Sequence, residues 1–235
     1  MRHWPLTRLT LTTPDLVLRV PDDDQLDELA QVAADGIVPP GAVYFPHPWA
    51  SGTADQTARN VLQNHWWARG DWHENNWRLL LAVLHDGRVI GQQNLSARDF
   101  RVTREARTGF WLGRHLQGHG FGTQMRAAAL HLAFAGLGAE RVISTVFADN
   151  AASRRVSEKF GYESNGVRRL AVDHHLVEAH DVVLTSERWH GQDRRPTRVE
   201  GFDECRHMFG VPTAPEPVDA VPRVGTAKPR HGRNR

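Results

Sequence analysis

Apolar positions along the chain follow two periods. Short β-branched runs with alternating or continuous apolar character mark strands at LVLRV (16–20), WRLLLAVL (77–84), RVIGQQNL (88–95), TGFWLG (108–113) and RVISTVF (141–147). VRRLAV (167–172) and HDVVLT (180–185) read as a last strand pair. Helical spacing fills the intervals. One helix is predicted over Gln25–Ala34, behind Asp22 to Asp24, whose charges suit a helix N-terminus. Another runs from Thr53 to about Ala68, with Ala54, Ala58, Val61, Leu62 and His65 on related faces. A third follows a glycine-rich loop and reaches about Gly136, and a fourth covers 150–160, where Gly161 is placed to end it. Asp86-Gly87 between two strands is a hairpin signal. The order β-α-α-β-β-β-α-β-α-β-β predicts a mixed α/β (α+β) layout, a sheet covered by helices.

Past Trp189 the pattern decays. Phe202, Met208 and Phe209 are worth burying, so 190–211 is predicted as an extension packed on a 1–189 domain. Residues 212–235 hold five prolines, many charges and no period, and are expected to be disordered. A length of 235 residues with 40% hydrophobic content suits one core. The lone cysteine, Cys205, permits no intrachain disulfide. MRHWPLTRLTLTTPD lacks the apolar run of a signal peptide, and no stretch nears the roughly 18 apolar residues of a membrane span. The expectation is a cytoplasmic protein with no membrane partner. Net charge is +2, and the basic excess sits in the tail, so no basic stripe points to nucleic acid. Trp49, Trp66, Trp67, Trp72 and Trp77 cluster in the first half. An aromatic-walled region and ordinary core packing both account for them.

The chemistry concentrates in WLGRHLQGHGFGTQMRAAALHLAF (111–134), where Gly118, Gly120 and Gly122 alternate before a helix. Glycine costs backbone entropy, so three in five residues need a reason. A strand, a glycine loop and a helix N-terminus together suit an anion, since the first helical amides lack partners. A P-loop would place a lysine after the last glycine, where Thr123 and Gln124 stand. A dinucleotide fold, with Asp149 as ribose acid, conflicts with the G-x-G-x-G spacing and with the single helix and hairpin that follow. A purely structural glycine turn also fits the loop on its own.

The loop has company. Gln117-x-x-Gly120-x-Gly122, preceded by GFWLG and followed by FADNAASRRVSEKFGY, resembles the GCN5-related N-acetyltransferase (GNAT) family over about residues 10 to 189. The nearest likeness is to its ribosomal-protein N-terminal acetyltransferase-like branch. RHWPL and GFDECRHMFG also resemble an actinobacterial subgroup that includes a mycobacterial succinyltransferase. The resemblance implies a GNAT fold, a mixed and mostly antiparallel sheet with a splayed central strand pair and helices on both faces. It implies acetyl-CoA or succinyl-CoA as co-substrate, no metal, and an amine acceptor, either protein or small molecule. Carried onto this sequence, the coenzyme A site comprises Gln117 and the amides of Gly118, His119, Gly120, Phe121, Gly122 and Thr123. Trp111 and Leu112 offer backbone groups to pantetheine, with the amide near Leu112 polarising the thioester carbonyl. Asn150 matches the asparagine that contacts pantetheine, and equally suits an N-cap.

Proton handling is less defined. Where many members carry a tyrosine seven residues after that asparagine, this chain has Ser157. Ser153, three after it, matches the proposed acid of the N-terminal acetyltransferase-like branch and would hydrogen-bond the departing thiolate. Glu74, Asp99 and Glu105 are candidate bases, beside a water chain. DHHLVEAHD (173–181) does not match zinc spacing, and His174 or His175 is expected at the acceptor site. Arg126, Arg154 and Arg155 are candidates for the outer phosphates or are solvated helix charges. His47, Asn94, Arg98 and the hairpin histidines are candidate donors to a succinyl carboxylate. Cys205 is expected to be inert packing. A catalytically silent acyl-CoA-binding module is the rival reading, and homo-oligomerisation is open.

Overall fold

The computed structural model describes residues 1–39, 41–191 and 196–211; the predicted tail, 212–235, lies outside the described residues. Among these residues nine strands form one sheet in the order β7-β8-β6-β5-β4-β3-β2-β1-β9. The strands are β1 (Thr10–Thr12), β2 (Val17–Arg19), β3 (Asn76–His85), β4 (Arg88–Arg98), β5 (Glu105–Leu112), β6 (Arg141–Phe147), β7 (Glu163–Val172), β8 (His175–Thr185) and β9 (Arg198–Glu200). Every pairing is antiparallel except β5 with β6. The expected mixed, mostly antiparallel sheet is present.

The apolar run of β3 explains the layering. A strand apolar at successive positions must be covered on both faces. Leu79, Leu81 and Val83 enter a core with Met125 and Ala128 of α4 (Phe121–His131). Ala82 and Leu84 enter a second core beneath α1 (Asp23–Ala34) and α2 (Ala54–Gly70). Asp22 starts α1 and Thr53 starts α2, each in a reciprocal capping box with the glutamine three residues on. The crossover from β5 to the parallel β6 is α4, continued by a π-helical turn to Gly136. After β6 comes α5 (Ala151–Lys159), and Gly161 follows it at φ +68°, as the sequence predicts.

Four short elements escaped the sequence reading: β1, α3 (Phe100–Thr103), β9 and α7 (Phe202–Cys205). The strand pair β7/β8 is also longer than predicted, turning at Asp173-His174. Beyond α6 (Ser186–His190), β9 pairs with β1, Leu11 opposite Val199. Phe202, Cys205 and Phe209 are buried in the α4-side core. Phe209 meets Trp72 edge-on at 5.4 Å and Trp77 at 5.0 Å, and Trp72 Nε1 donates to the Met208 carbonyl at 2.9 Å. Phe209→Ala should therefore cost roughly 3–5 kcal/mol, the usual loss for emptying a buried ring site. Urea unfolding measures it, and a loss under about 1 kcal/mol would mean the segment docks without holding the core.

Candidate active site

The sheet parts in its middle. β5 and β6 pair only from Glu105 opposite Arg141 to Thr108 opposite Ser144, although β5 continues to Leu112 and β6 to Phe147. Their outer neighbours hold on: β4 stays with β5 up to Leu112, and β8 with β6 up to Phe147. The Gly113 amide donates to the Ile90 carbonyl at 3.0 Å, which sets the phase of the antiparallel ladder. By alternation the amides of Phe110 and Leu112 turn away from β4, toward the parting. A cavity of about 1370 Å³ occupies this region. Its walls draw on both sheet faces, with Phe110, Gly122 and Arg126 on one and Gln92, Asn94 and Trp111 on the other. That volume exceeds the roughly 300–1,000 Å³ of ordinary small-ligand sites, and suits a long ligand beside a second substrate.

The glycine loop closes one end. Gly118 and Gly120 have φ of +87° and +85°, a region that side chains strain to adopt, and a Cβ at either would meet nothing within 4 Å. Gly122 serves packing, because a Cβ there would stand 3.1 Å from the Phe110 ring. Gly120 occupies the N-cap of α4 with no side-chain cap. Among the described residues the amides of Gly118 to Gly122 have no acceptor, the condition an anion site requires. Gln117 lines the cavity, but its Nε2 is committed to the carbonyls of Ile37 (2.9 Å) and Leu112 (3.1 Å), anchoring the loop on the end of β5. His119 and Phe121 turn their rings outward, onto each other and His85, so they face the site by backbone alone.

At the far wall, Asn150 Oδ1 accepts the Ser153 amide at 2.9 Å, so the asparagine is the N-cap of α5 while also lining the cavity. Ser153 lines it too. Ser157, one turn on, is buried away from it.

Several predicted participants stand elsewhere. Among the described residues lining the cavity none is Asp or Glu. Glu74 and Asp99 are exposed, and Glu105 faces Arg141 at 3.7 Å. None of the three candidate bases reaches the wall, because each sits at a strand or turn end remote from the parting. His174 and His175 occupy the β7/β8 turn, and Arg98 is exposed; none contributes to the wall, whereas His47 and Asn94 do. Arg154 donates to the Ala148 carbonyl at 2.9 Å, and Arg155 lines the cavity. Arg126 is not a solvated helix charge. It is 1% exposed, lies over Phe110 and Tyr162, and donates to the Tyr162 hydroxyl at 3.3 Å. Burial raises the Tyr162 phenol above its ordinary value, opposed in part by Arg126. The tryptophan cluster divides: Trp49 and Trp67 line the cavity, Trp66 is exposed, and Trp72 and Trp77 belong to the opposite core. Cys205 is buried beyond the site, its thiol pushed up to about 12 mainly by desolvation. A thiol held there is a poor nucleophile, so Cys205→Ala should retain most activity. Thiol release in the absence of acceptor, abolished by that substitution, would contradict this.

Two residues were overlooked. His65, a polar residue on the apolar face of α2, is 1% exposed, and Nε2 bonds Gln92 Oε1 at 2.8 Å. Burial lowers its value to about 4, so it is a neutral donor that orients Gln92 in the cavity wall. Arg78 of β3 reaches the same cavity, its guanidinium 4.4 Å over the Trp67 ring. The only advance signal for His65 was its place in the apolar stripe.

Comparison with known proteins agrees with this geometry. Residues 15–163 match the family model described as "Acetyltransferase (GNAT) domain". The curated protein named "Putative ribosomal N-acetyltransferase YdaF", from Bacillus subtilis, is 29% identical over 114 residues. That match covers 47% of this chain and 61% of the relative, less than two thirds of its length. Among solved structures, an acetyltransferase from T. thermophilus superposes with a TM-score of 0.62 at 21% identity, covering 77% of this chain and 92% of that one. Mycobacterium smegmatis RimJ, solved in complex with CoA-disulfide, gives 0.59 at 20% identity, covering 78% and 90%. At these identities the structures show a common fold.

The buried histidine makes a pH prediction. The unfolded chain takes up a proton below 6.5, whereas folded His65 does so only near 4. Its contribution is therefore intact above pH 6.5 and is lost as pH falls toward 4, by up to roughly 3 kcal/mol. His65→Gln should flatten this acid decline in urea unfolding at pH 7, 5.5 and 4.5. An equal decline in both proteins would contradict a buried neutral imidazole.

Proposed function

The chain belongs to the GNAT family of acetyltransferases, and from that premise we propose direct transfer of the acyl group of a coenzyme A thioester to a primary amine within the β5/β6 parting. The observation that carries this reading is the conjunction of the uncapped glycine loop with the end of a parted strand. The amides of Gly118 to Thr123 hold the coenzyme A diphosphate, with Arg155 and Lys159 on the same cavity wall available to the outer phosphates. Trp111 and Leu112 flank the pantetheine arm, and the Leu112 amide polarises the thioester carbonyl as negative charge develops on its oxygen. Asn150 orders the start of α5, and Ser153 donates a hydrogen bond to the departing sulfur. The catalytic unit is 1–189, with 190–211 as a bracing extension.

Acetyl-CoA is the co-substrate expected of the family. Succinyl-CoA is the second reading, favoured by the cationic cavity wall, though only His47 and Asn94 of its expected donors reach that wall. The curated relative's name points to ribosomal proteins, so a protein N-terminus is one acceptor class, beside lysine side chains and small amines. The lack of a carboxylate on the wall favours a further alternative, a silent acyl-CoA-binding module.

Gly120→Glu sets a side chain and a negative charge where phosphate would sit. Calorimetry should show acetyl-CoA binding lost while unfolding stays cooperative; unchanged affinity would remove the loop from the site. Ser153→Ala should lower kcat roughly ten- to a hundredfold with little change in KM for acetyl-CoA. Equal kcat values would leave the sulfur to water.

A further inference from the structure

Arg78, Ser96 and Arg107 form one cross-strand row. Arg78 of β3 pairs with Ser96 of β4, and Ser96 pairs with Arg107 of β5. Directly paired residues project to one face, so both arginines flank the serine on the same side of the sheet, and all three line the cavity. With strands about 4.8 Å apart, the arginine Cα atoms stand roughly 10 Å from each other, a span two guanidinium groups can close on one anion.

Neither charge is neutralised by a carboxylate of the wall. Arg78 Nη1 donates to Asn64 Oδ1 at 3.1 Å, its face rests on Trp67, and its Nη2 is buried with no partner among the described residues. Desolvation lowers the guanidinium from its ordinary value, partly countered by Asp71, which stands outside the wall. Arg107 feels Asp181, but that carboxylate is occupied. It accepts from Arg168 Nε at 2.8 Å, Arg168 Nη2 at 3.0 Å and Thr145 Oγ1 at 2.6 Å. A half-buried cation without a counter-charge is unfavourable, and the missing charge must come from what binds.

Resting on the acyl-transfer reading, we infer that the acceptor is a primary amine carrying its own carboxylate, which seats between Arg78 and Arg107 beside Ser96. Arg107 lies three residues before Phe110, roughly 10 Å along the strand, so the carboxylate sits a few bonds from the amine. Polycationic acceptors are disfavoured by the same field. That field also favours the neutral amine, which the carboxylate-free wall has no base to generate. The ammonium gives one proton to water and its nitrogen bonds the acyl carbon as the C–S bond breaks. The second amine proton ends on the departing sulfur.

The test is thiol release from acetyl-CoA with matched acceptors: β-alanine against β-alaninamide, amidated Ala-Glu-Ala against amidated Ala-Gln-Ala, and spermidine. The carboxylate member should lead by at least tenfold in kcat/KM in at least one pair, with spermidine slowest. In Arg107→Gln, and in Arg78→Gln, that lead should collapse through KM while acetyl-CoA affinity stays unchanged. Arg107 is exposed, so its variant is the safer fold. Thiol release without carboxylate preference would overturn the inference and leave the transferase reading standing. Failure of acetyl-CoA to bind or to release thiol with any acceptor would overturn both. Should the substitutions instead impair succinyl-CoA turnover alone, the row serves the acyl group and the acceptor assignment is wrong.

Discussion

Parallel strands cannot be joined by a tight turn, so β5 and β6 must be linked by a crossover, here the glycine loop and α4. Their ladder lasts only from Glu105 to Thr108 on β5, after which the two strands follow different neighbours. That parting fixes nearly everything functional. It turns the Phe110 and Leu112 amides toward a cavity, and it sets the N-terminus of α4 at the cavity's end. It also admits side chains from both faces of the sheet. Gly122 is the contact that lets α4 come down against Phe110, and Gln117 ties the loop to the last carbonyl of β5.

Charge on the cavity wall follows from the same architecture. The sheet face beneath α2 carries Arg78, Asn94, Ser96 and Arg107 where a simple core strand would carry aliphatic side chains. Buried Arg126 adds a further cation beside Phe110. With no carboxylate among the described lining residues, the wall suits anions at several points along its length: phosphates near the loop and, by our inference, a carboxylate at the other end. His65 contributes differently. Kept neutral by burial, it holds Gln92 in place without adding to the positive field.

Much of this was legible beforehand, for physical reasons that also explain the gaps. The β3/β4 hairpin, α4 and β6 declare themselves through long, strongly periodic runs and an Asp-Gly turn. Three-residue strands such as β1 and β9 carry too little pattern, and their pairing is non-local, Thr10 to Glu200. β7 is largely exposed, so its polar residues hide its true start at Glu163. The glycine loop could be read because its requirement is on the backbone, and backbone demands leave glycines in the sequence. Arg78 and Arg107 could not, since an arginine within a strand normally marks the solvent face, and only the register brings the two into one row. Sequence neighbours can also be separated by the sheet, as Trp67 and Trp72 are.

The central claim is that coenzyme A lies along the parted strands with its diphosphate on the glycine loop. Backbone amide resonances followed during titration with coenzyme A test it most directly. The account predicts large, saturable shifts at Gly118, His119, Gly120, Phe121, Gly122 and Leu112, with Gly87 and Gly201 unmoved. Saturable binding that leaves the loop and Leu112 unshifted would contradict it.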